Sequence, residues 1–521
     1  MADLENLTSG FSPSTILPNA NIVYTGVALL SISLGWLVFL CLIYTSRPAG
    51  FFVAKKGEIM EREQVINLNE TRLVQSQARF LEEIGLWEAG SDKGRFAFRL
   101  SPDVLELNFE QKAELEEIND LMFSRGGFFD GANRLFDRTF DQRFISTNTG
   151  AKVLKTLRSG LPKAERELIK SGDRQMPAVC RLDLALAPDQ DSEFKILEVE
   201  GDKTHAFGYA TIAELFARQI ADVTTERLPG LVFDFGTFLK GAGATPEKPA
   251  VLIVGREEMF YETELKFFAQ ICRKNLIPLV VLAEREVQVS TSGISLNDGS
   301  FPAGKNSFTT DLLVNLPVLT PDGYRGTGID ADLLLRLFAE GKIRCLIPPK
   351  RFLGSKGLLA LVSNGDNDPE LETILRGCFD PGKLARLREL IPSTFVISKK
   401  SKVRALAELD ENPGAWVIKK SMSSGMRGVA LPEGNRQRSM LGEAVEAPFN
   451  YVMQAKVAQE TRTFRFAEPN NLNIIKRARM FMRISPFCTP GGISTVCVTG
   501  RETSDVHGAT DSILISTVFK E

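Results

Sequence analysis

The sequence predicts a mixed α/β body joined to a single N-terminal membrane-spanning helix. Three observations predict it: an apolar stretch from Ile22 to Tyr44, short apolar strands alternating with amphipathic helices through the centre, and two carboxylate-bearing strands that precede a distant lysine strand and glycine-rich loop. With 521 residues, 43% of them hydrophobic, the chain has enough apolar material for more than one packed unit.

Residues 1–21 contain no Lys or Arg, so they lack the basic leading region of a cleaved signal peptide. Residues 22–44 then run almost without interruption in apolar side chains. At roughly 1.5 Å per residue such a helix crosses a hydrocarbon core of about 30 Å. Tyr24 and Tyr44 fall near the two expected interfaces, and Arg47, Lys55, Lys56 and Arg62 follow. The positive-inside rule therefore predicts a short non-cytoplasmic tail, a single membrane pass and a cytoplasmic body. Ser31 and Gly35 form a small-x-x-x-small pair that would support helix pairing and hence a homo-oligomer.

Residues 45–175 read as a juxtamembrane and helical region: residues 57–172 are rich in Glu, Lys, Leu and Phe, with helical spacing at Leu73, Ala78, Phe80, Leu81 and Ile84. Residues 176–345 read as an acidic hairpin followed by a small α/β domain. Ala250 to Val254 is an apolar strand, Glu257 to Lys274 an amphipathic helix and Leu279 to Leu282 the next strand; Leu312 to Val314 and Asp332 to Glu340 supply another strand and helix. Residues 346–521 hold the lysine strand, the glycine loop and the end of the chain.

Composition narrows the chemistry. The two histidines, His205 and His507, are too few for a histidine-based metal centre and leave a Ser-His-Asp triad little to build on. Seven scattered cysteines include Cys41 in the apolar stretch and form no C-x-x-C pair, as expected of reduced thiols. A net charge of −2 without a basic, aromatic-interleaved patch gives no reason to expect nucleic acid as a partner.

Arg181-Leu182-Asp183 and Glu198-Val199-Glu200 carry the strongest chemical signal. Side chains two apart on a strand share a face, so pairing of the two strands gathers three carboxylates and one guanidinium on one patch. Crowded acids repel one another, and a hard divalent cation such as Mg²⁺ holds them together. A solvated hairpin with ordinary surface acids is the plainer reading of the same residues. Downstream, Ala415 to Lys419 reads as a buried strand ending in a lysine, and Ser423-Ser424-Gly425-Met426-Arg427-Gly428 as a flexible loop before Val429 to Leu431. Such a loop can lay backbone N–H groups over phosphate oxygens with the lysine beside them. A simple hairpin with a loose turn also fits, since no Walker-type run and no complete G-x-G-x-x-G occurs.

Taken together, these parts resemble the ATP-grasp superfamily, in the order of its circularly permuted, glutathionylspermidine synthase-like branch, where the acidic strands precede the lysine and loop. The resemblance runs from about Ala178 to the C-terminus. The family's R-x-D strand is similar to Arg181 and Asp183, and its L-E-x-N-x-D-T-P strand to Leu197, Glu198, Glu200, Asp202 and Thr204. Its G-N-K-A segment is similar to Gly354-Ser355-Lys356-Gly357, its V-L-K-P strand to Val417 to Lys420, its adenine-contacting hinge to Tyr451-Val452-Met453-Gln454, and its P-G-G-L-T-R to Pro490 to Thr495. The sequence departs from the family at Glu200 for asparagine, Lys420 for proline and Thr495 for arginine; Arg427, Arg477, Arg479 or Arg483 could replace the last.

The resemblance implies an ATP-dependent ligase that joins a carboxylate to an amine through an acyl phosphate. In it Asp183, Glu198 and Glu200 would hold Mg²⁺ and Arg181 would face the transferred phosphoryl group. Lys356, Lys419, Ser423, Ser424, Gly425, Gly428, Met453 and Gln454 would bind ATP. The departures keep open a second reading, a nucleotide-binding membrane scaffold without turnover.

Overall fold

A computed structural model describes residues 58–87, 98–161, 165–166, 169, 172–188, 192–203, 205–220, 228–291, 293–296, 308–316, 329–423, 428–432, 436–507 and 511–520. The chain divides into Met1–Glu63 and Gln64–Glu521. The apolar stretch Ile22 to Tyr44 and the tail before it lie outside the described residues. Among the described residues no helix is long and apolar enough to cross a membrane.

A seven-stranded sheet organises the larger unit. Its strands lie in the order Thr461–Glu468, Arg99–Leu107, Ile513–Phe519, Gly492–Arg501, Asn471–Thr489, Cys180–Leu186 and Phe194–Glu200. Only Arg99–Leu107 and Ile513–Phe519 run parallel; the other pairings are antiparallel. Asn471–Thr489 is 19 residues long and pairs with three strands. Its first half is largely solvent-facing and its second half, towards Cys180–Leu186, is buried.

Arg99–Leu107 corrects the reading of residues 57–172 as wholly helical. Pro102 lacks an N–H and disrupts a helix, and the ladder to Ile513–Phe519 absorbs it in a register shift between Leu100 and Val104. Helices do surround it. Phe109–Phe123 starts at a capping box in which Asn108 Oδ1 accepts from Gln111 N at 2.8 Å and Gln111 Oε1 accepts from Asn108 N at 3.2 Å. With Phe128–Arg138 and Asn148–Arg158 it buries Leu115, Ile118, Phe128, Phe129 and Val153 against Leu182, Leu184 and Ile196 of the acidic hairpin. These helices belong to the body that holds the site.

The central α/β unit has the expected βαβ core. Arg344–Cys345, Leu312–Leu313, Ala250–Val254 and Leu279–Ala283 form an all-parallel sheet, with the helix Glu262–Lys274 crossing between the last two. That helix begins later than the sequence suggests, because Arg256–Tyr261 winds as a 3₁₀ segment ahead of it. A second antiparallel sheet, Thr394–Val396, Tyr451–Ala455, Trp416–Lys420 and Val429–Ala430, rests on the helices Lys402–Glu411 and Arg436–Glu446 through Phe395, Trp416, Ile418, Met440 and Met453.

Candidate functional site

The two strands of the acidic hairpin pair, as the sequence predicts. Arg181 stands opposite Glu200, and Asp183 opposite Glu198. All four side chains border one cavity of about 290 Å³, while Leu182 and Val199 are buried in the core behind. The carboxylates do not, however, form an open acidic trio. Arg181 Nε donates to Asp183 Oδ1 at 2.9 Å, and its Nη2 lies 3.0 Å from Glu200 Oε2. Lys356 Nζ donates to Glu198 Oε1 at 2.6 Å. Buried carboxylates need counter-charges, and in this structure protein cations supply them. Burial alone would raise the Asp183 carboxyl; Arg181, Arg483 and a hydrogen bond from Ser485 hold it well below the usual range instead. Glu200 is lowered in the same way, by Arg181, Lys203 and His205 against its burial.

Lys356 is placed by a helix start. Ser355 caps the helix Lys356–Ser363 by accepting from Gly357 N at 3.0 Å, and Lys356 N donates to Ser421 O at 3.0 Å. This ties the helix to the end of the lysine strand. Lys356 Nζ also donates to Ser423 O at 3.2 Å. Lys419 reaches Leu197 O at 3.3 Å and Gln454 Oε1 at 2.6 Å. Both lysines therefore meet at the acidic hairpin. Burial pushes the Lys419 ammonium down to about 8, with Glu198 and Asp183 opposing and Lys356 assisting the shift.

The strand, loop, strand unit is present: Trp416–Lys420 pairs with Val429–Ala430, Lys419 opposite Val429. A Cβ added to Gly428 would lie 2.3 Å from Ser423 Oγ and 2.6 Å from Ser423 Cβ, so a side chain at 428 would collide with Ser423. Ser424 and Gly425 lie outside the described residues, as do Met426 and Arg427. In the expected adenine hinge, Gln454 lines the cavity, but the Met453 side chain is packed in the apolar core with Phe395 and Trp416. Adjacent strand residues face opposite ways, and this strand is buried on both sides. Thr495 is buried with a hydrogen bond to Glu214, away from the cavity lining.

Whether the site suits Mg²⁺ can be judged from its oxygens. Among the described residues no group of three or more His, Cys, Asp or Glu has the spacing of a preformed metal cage. Magnesium bound with a nucleotide needs only one or two carboxylates besides water and phosphate. Asp183 and Glu198, opposite each other on the cavity side, meet that requirement in number, while Glu200 Oε2 lies 3.0 Å from Arg181 Nη2. The donor set fits a metal arriving with phosphates better than a bare ion.

Apart from Arg483, which the sequence already offers as a replacement at Thr495, several lining groups escaped the sequence reading. Tyr261 stacks on His205 with centroids 4.2 Å apart and planes 9° from parallel, and His205 Nε2 lies 2.7 Å from Glu258 Oε1. Phe98, Tyr209, Phe260 and Arg483 complete that side. They come from four separate parts of the chain, and no local spacing connects them. Of the arginines considered as replacements at Thr495, Arg483 borders the cavity, whereas Arg477 and Arg479 lie in the pairing with Thr461–Glu468 and are absent from its lining.

The fold and this cavity define a mixed α/β protein whose large sheet presents an acidic hairpin to a smaller lysine-bearing sheet. The same fold is found in a glutathione synthetase-like effector from Globodera pallida, solved in its apo form. The match covers 86% of this chain and 97% of that chain, with a TM-score of 0.50 and 11% identity. A putative gamma-glutamylcysteine synthetase from Methylobacillus flagellatus KT matches over 68% of this chain and 83% of its own at 10% identity, with a TM-score of 0.31, too low to establish a common fold. No family profile and no curated protein matches the sequence.

Proposed function

We propose that the chain is an ATP-dependent carboxylate-amine ligase built on a circularly permuted ATP-grasp arrangement and anchored to a membrane by residues 22–44. The observation that carries this reading is the convergence of Lys356 and Lys419 on the acidic hairpin beside one cavity. A fold shared with a glutathione synthetase-like effector agrees with it.

In this reading the ATP phosphates lie against Lys356 and Lys419, and the 423–428 loop covers them. Asp183, Glu198 and Glu200 would hold Mg²⁺ with the nucleotide, where it would neutralise phosphate charge. A carboxylate oxygen of the substrate attacks the γ-phosphorus, and the bond to ADP breaks with its electrons leaving on ADP. An amine then attacks the acyl carbon, phosphate departs with the carbon–oxygen electrons, and the amine gives up a proton. Arg181, fixed by Asp183 and Glu200, maintains a positive field beside the transferring group. Water is kept out because the intermediate would otherwise hydrolyse.

The test is incubation of the full chain, solubilised in detergent, with ATP, Mg²⁺ and pooled carboxylates and amines. Mass spectrometry should find a condensation product with stoichiometric ADP, lost in Asp183→Asn and Glu198→Gln. Nucleotide binding without ADP across broad pools would overturn the ligase reading in favour of a nucleotide-binding scaffold, which the pairing of every hairpin carboxylate with a protein cation already favours as the second reading. Protease accessibility of residues 1–21 in sealed vesicles tests the topology: protection on the cytoplasmic face is expected, and cleavage there would reverse it.

A further inference from the structure

The two guanidiniums that border the cavity beside Asp183 differ in how fully they are used. Arg181 is saturated: Asp183 takes two of its nitrogens at 2.9 and 3.2 Å, Glu200 lies 3.0 Å away and His205 O accepts at 3.3 Å. Arg483 is not. Its Nη1 stands 3.5 Å from Asp183 Oδ2 and its Nη2 3.4 Å from Thr499 Oγ1, both long contacts, and 23% of its side chain stays exposed where it borders the cavity. A guanidinium held only by long contacts can shorten them onto an anionic group, and charge-assisted, bidentate pairing with a carboxylate is the strongest form of that contact.

The surroundings of Arg483 indicate what that ligand carries. On this side of the cavity the wall is aromatic. Phe98 meets Tyr209 edge-on at 5.9 Å, and Phe260 meets Tyr261 edge-on at 5.2 Å. Phe260 keeps 40% of its surface exposed at the cavity, so its ring is available to a ligand. The other side, with Val417, Val429, Leu431 and Gln454 around Lys419, is the part assigned above to the nucleotide. Aromatic faces also attract cations; Arg181 is offset by Asp183 and Glu200, so the choice between an anion and a cation on this side turns on Arg483, whose contacts are long.

We propose that Arg483 anchors the substrate carboxylate and that the group attached to this carboxylate is large and apolar, preferably aromatic, lodged among Phe98, Tyr209, Phe260 and Tyr261. This deepens the ligase reading and rests on it for the identity of the substrate, but the binding it describes requires no turnover.

The experiment is equilibrium binding to the full chain in detergent, without ATP, followed by ligand-observed NMR with three probes: 3-phenylpropanoate, propanoate and 3-phenylpropan-1-amine. The expected order places 3-phenylpropanoate at least tenfold tighter than either of the others. Arg483→Gln should weaken it at least tenfold. Phe260→Ala, at an exposed position, should weaken 3-phenylpropanoate severalfold and leave propanoate unchanged. Equal binding of propanoate, preference for the amine, or unchanged affinity in both variants would each overturn the proposal. If 3-phenylpropanoate binds as expected and no ADP forms with any acceptor, the ligase reading fails while this site stands. If small polar carboxylates turn over and 3-phenylpropanoate does not bind, the ligase reading stands and this site fails.

Discussion

Lys419 donates to Gln454 across the smaller sheet at 2.6 Å, and its other acceptor, Leu197 O at 3.3 Å, is neutral as well. Among the described residues no direct ion pair compensates the burial of the ammonium, and that burial pushes it down to about 8.

A pH dependence follows with a definite sign. The unfolded chain holds this proton up to about 10.4, so between about pH 8 and 10 the unfolded state binds more protons and Lys419 favours folding increasingly as pH rises. Nucleotide binding moves the other way if Lys419 faces phosphate. Affinity for ATP should fall about tenfold from pH 7 to pH 9 as the ammonium discharges, and Lys419→Arg should flatten that profile. Titration of a fluorescent ATP analogue at the two pH values measures it; a parallel decline in the variant would remove Lys419 from the phosphate site.

Glu198 and Lys356 form the second test. Lys356 is 3% exposed and its ammonium lies 2.6 Å from the carboxylate. Lys356→Met should destabilise the fold by about 2 kcal/mol, because it leaves a partly buried carboxylate short of a partner. The double variant with Glu198→Gln should recover at least about 1 kcal/mol in urea melts. Simple additivity would show that the pair is not coupled.

Gly354 supplies a third. A Cβ there would lie 2.0 Å from Asp202 Oδ1 and 3.4 Å from Val199 O, two residues before Lys356. Gly354→Ala must push the segment away from the hairpin, costing about 1 to 3 kcal/mol. It should weaken nucleotide binding more than Gly357→Ala does, since the Cβ of the latter meets a Thr156 methyl at 2.9 Å rather than the acidic strand. Comparison of melting temperature and nucleotide affinity for both variants checks the order.

How much of this was legible depends on the distance over which each feature is encoded. The shared face of Arg181, Asp183, Glu198 and Glu200 follows from the period of two in a strand, and the turn between them is local. The lysine strand and its glycine loop are local too. Met453 and Gln454 could not be sorted, because a strand buried on both faces shows no alternation. Arg483 and Tyr261 reach the cavity only through the large sheet and the 3₁₀ segment, which no spacing in the chain announces. The pairing of the carboxylates with Arg181 and Lys356 was equally hidden, since a sequence shows which charges exist and not which of them meet.

The position of Arg99–Leu107 has a kinetic consequence. Its neighbours on either side, Thr461–Glu468 and Ile513–Phe519, are more than 350 residues further along the chain, so both its edges stay open until those segments have been made. One edge can pair once residues 461–468 have been made and the other only after residues 513–519, and such non-local pairing closes slowly. The helices that follow the strand can gather early, but the sheet they cover is completed last, and a fragment cut off after residue 172 would keep a sticky ribbon in place of a finished edge.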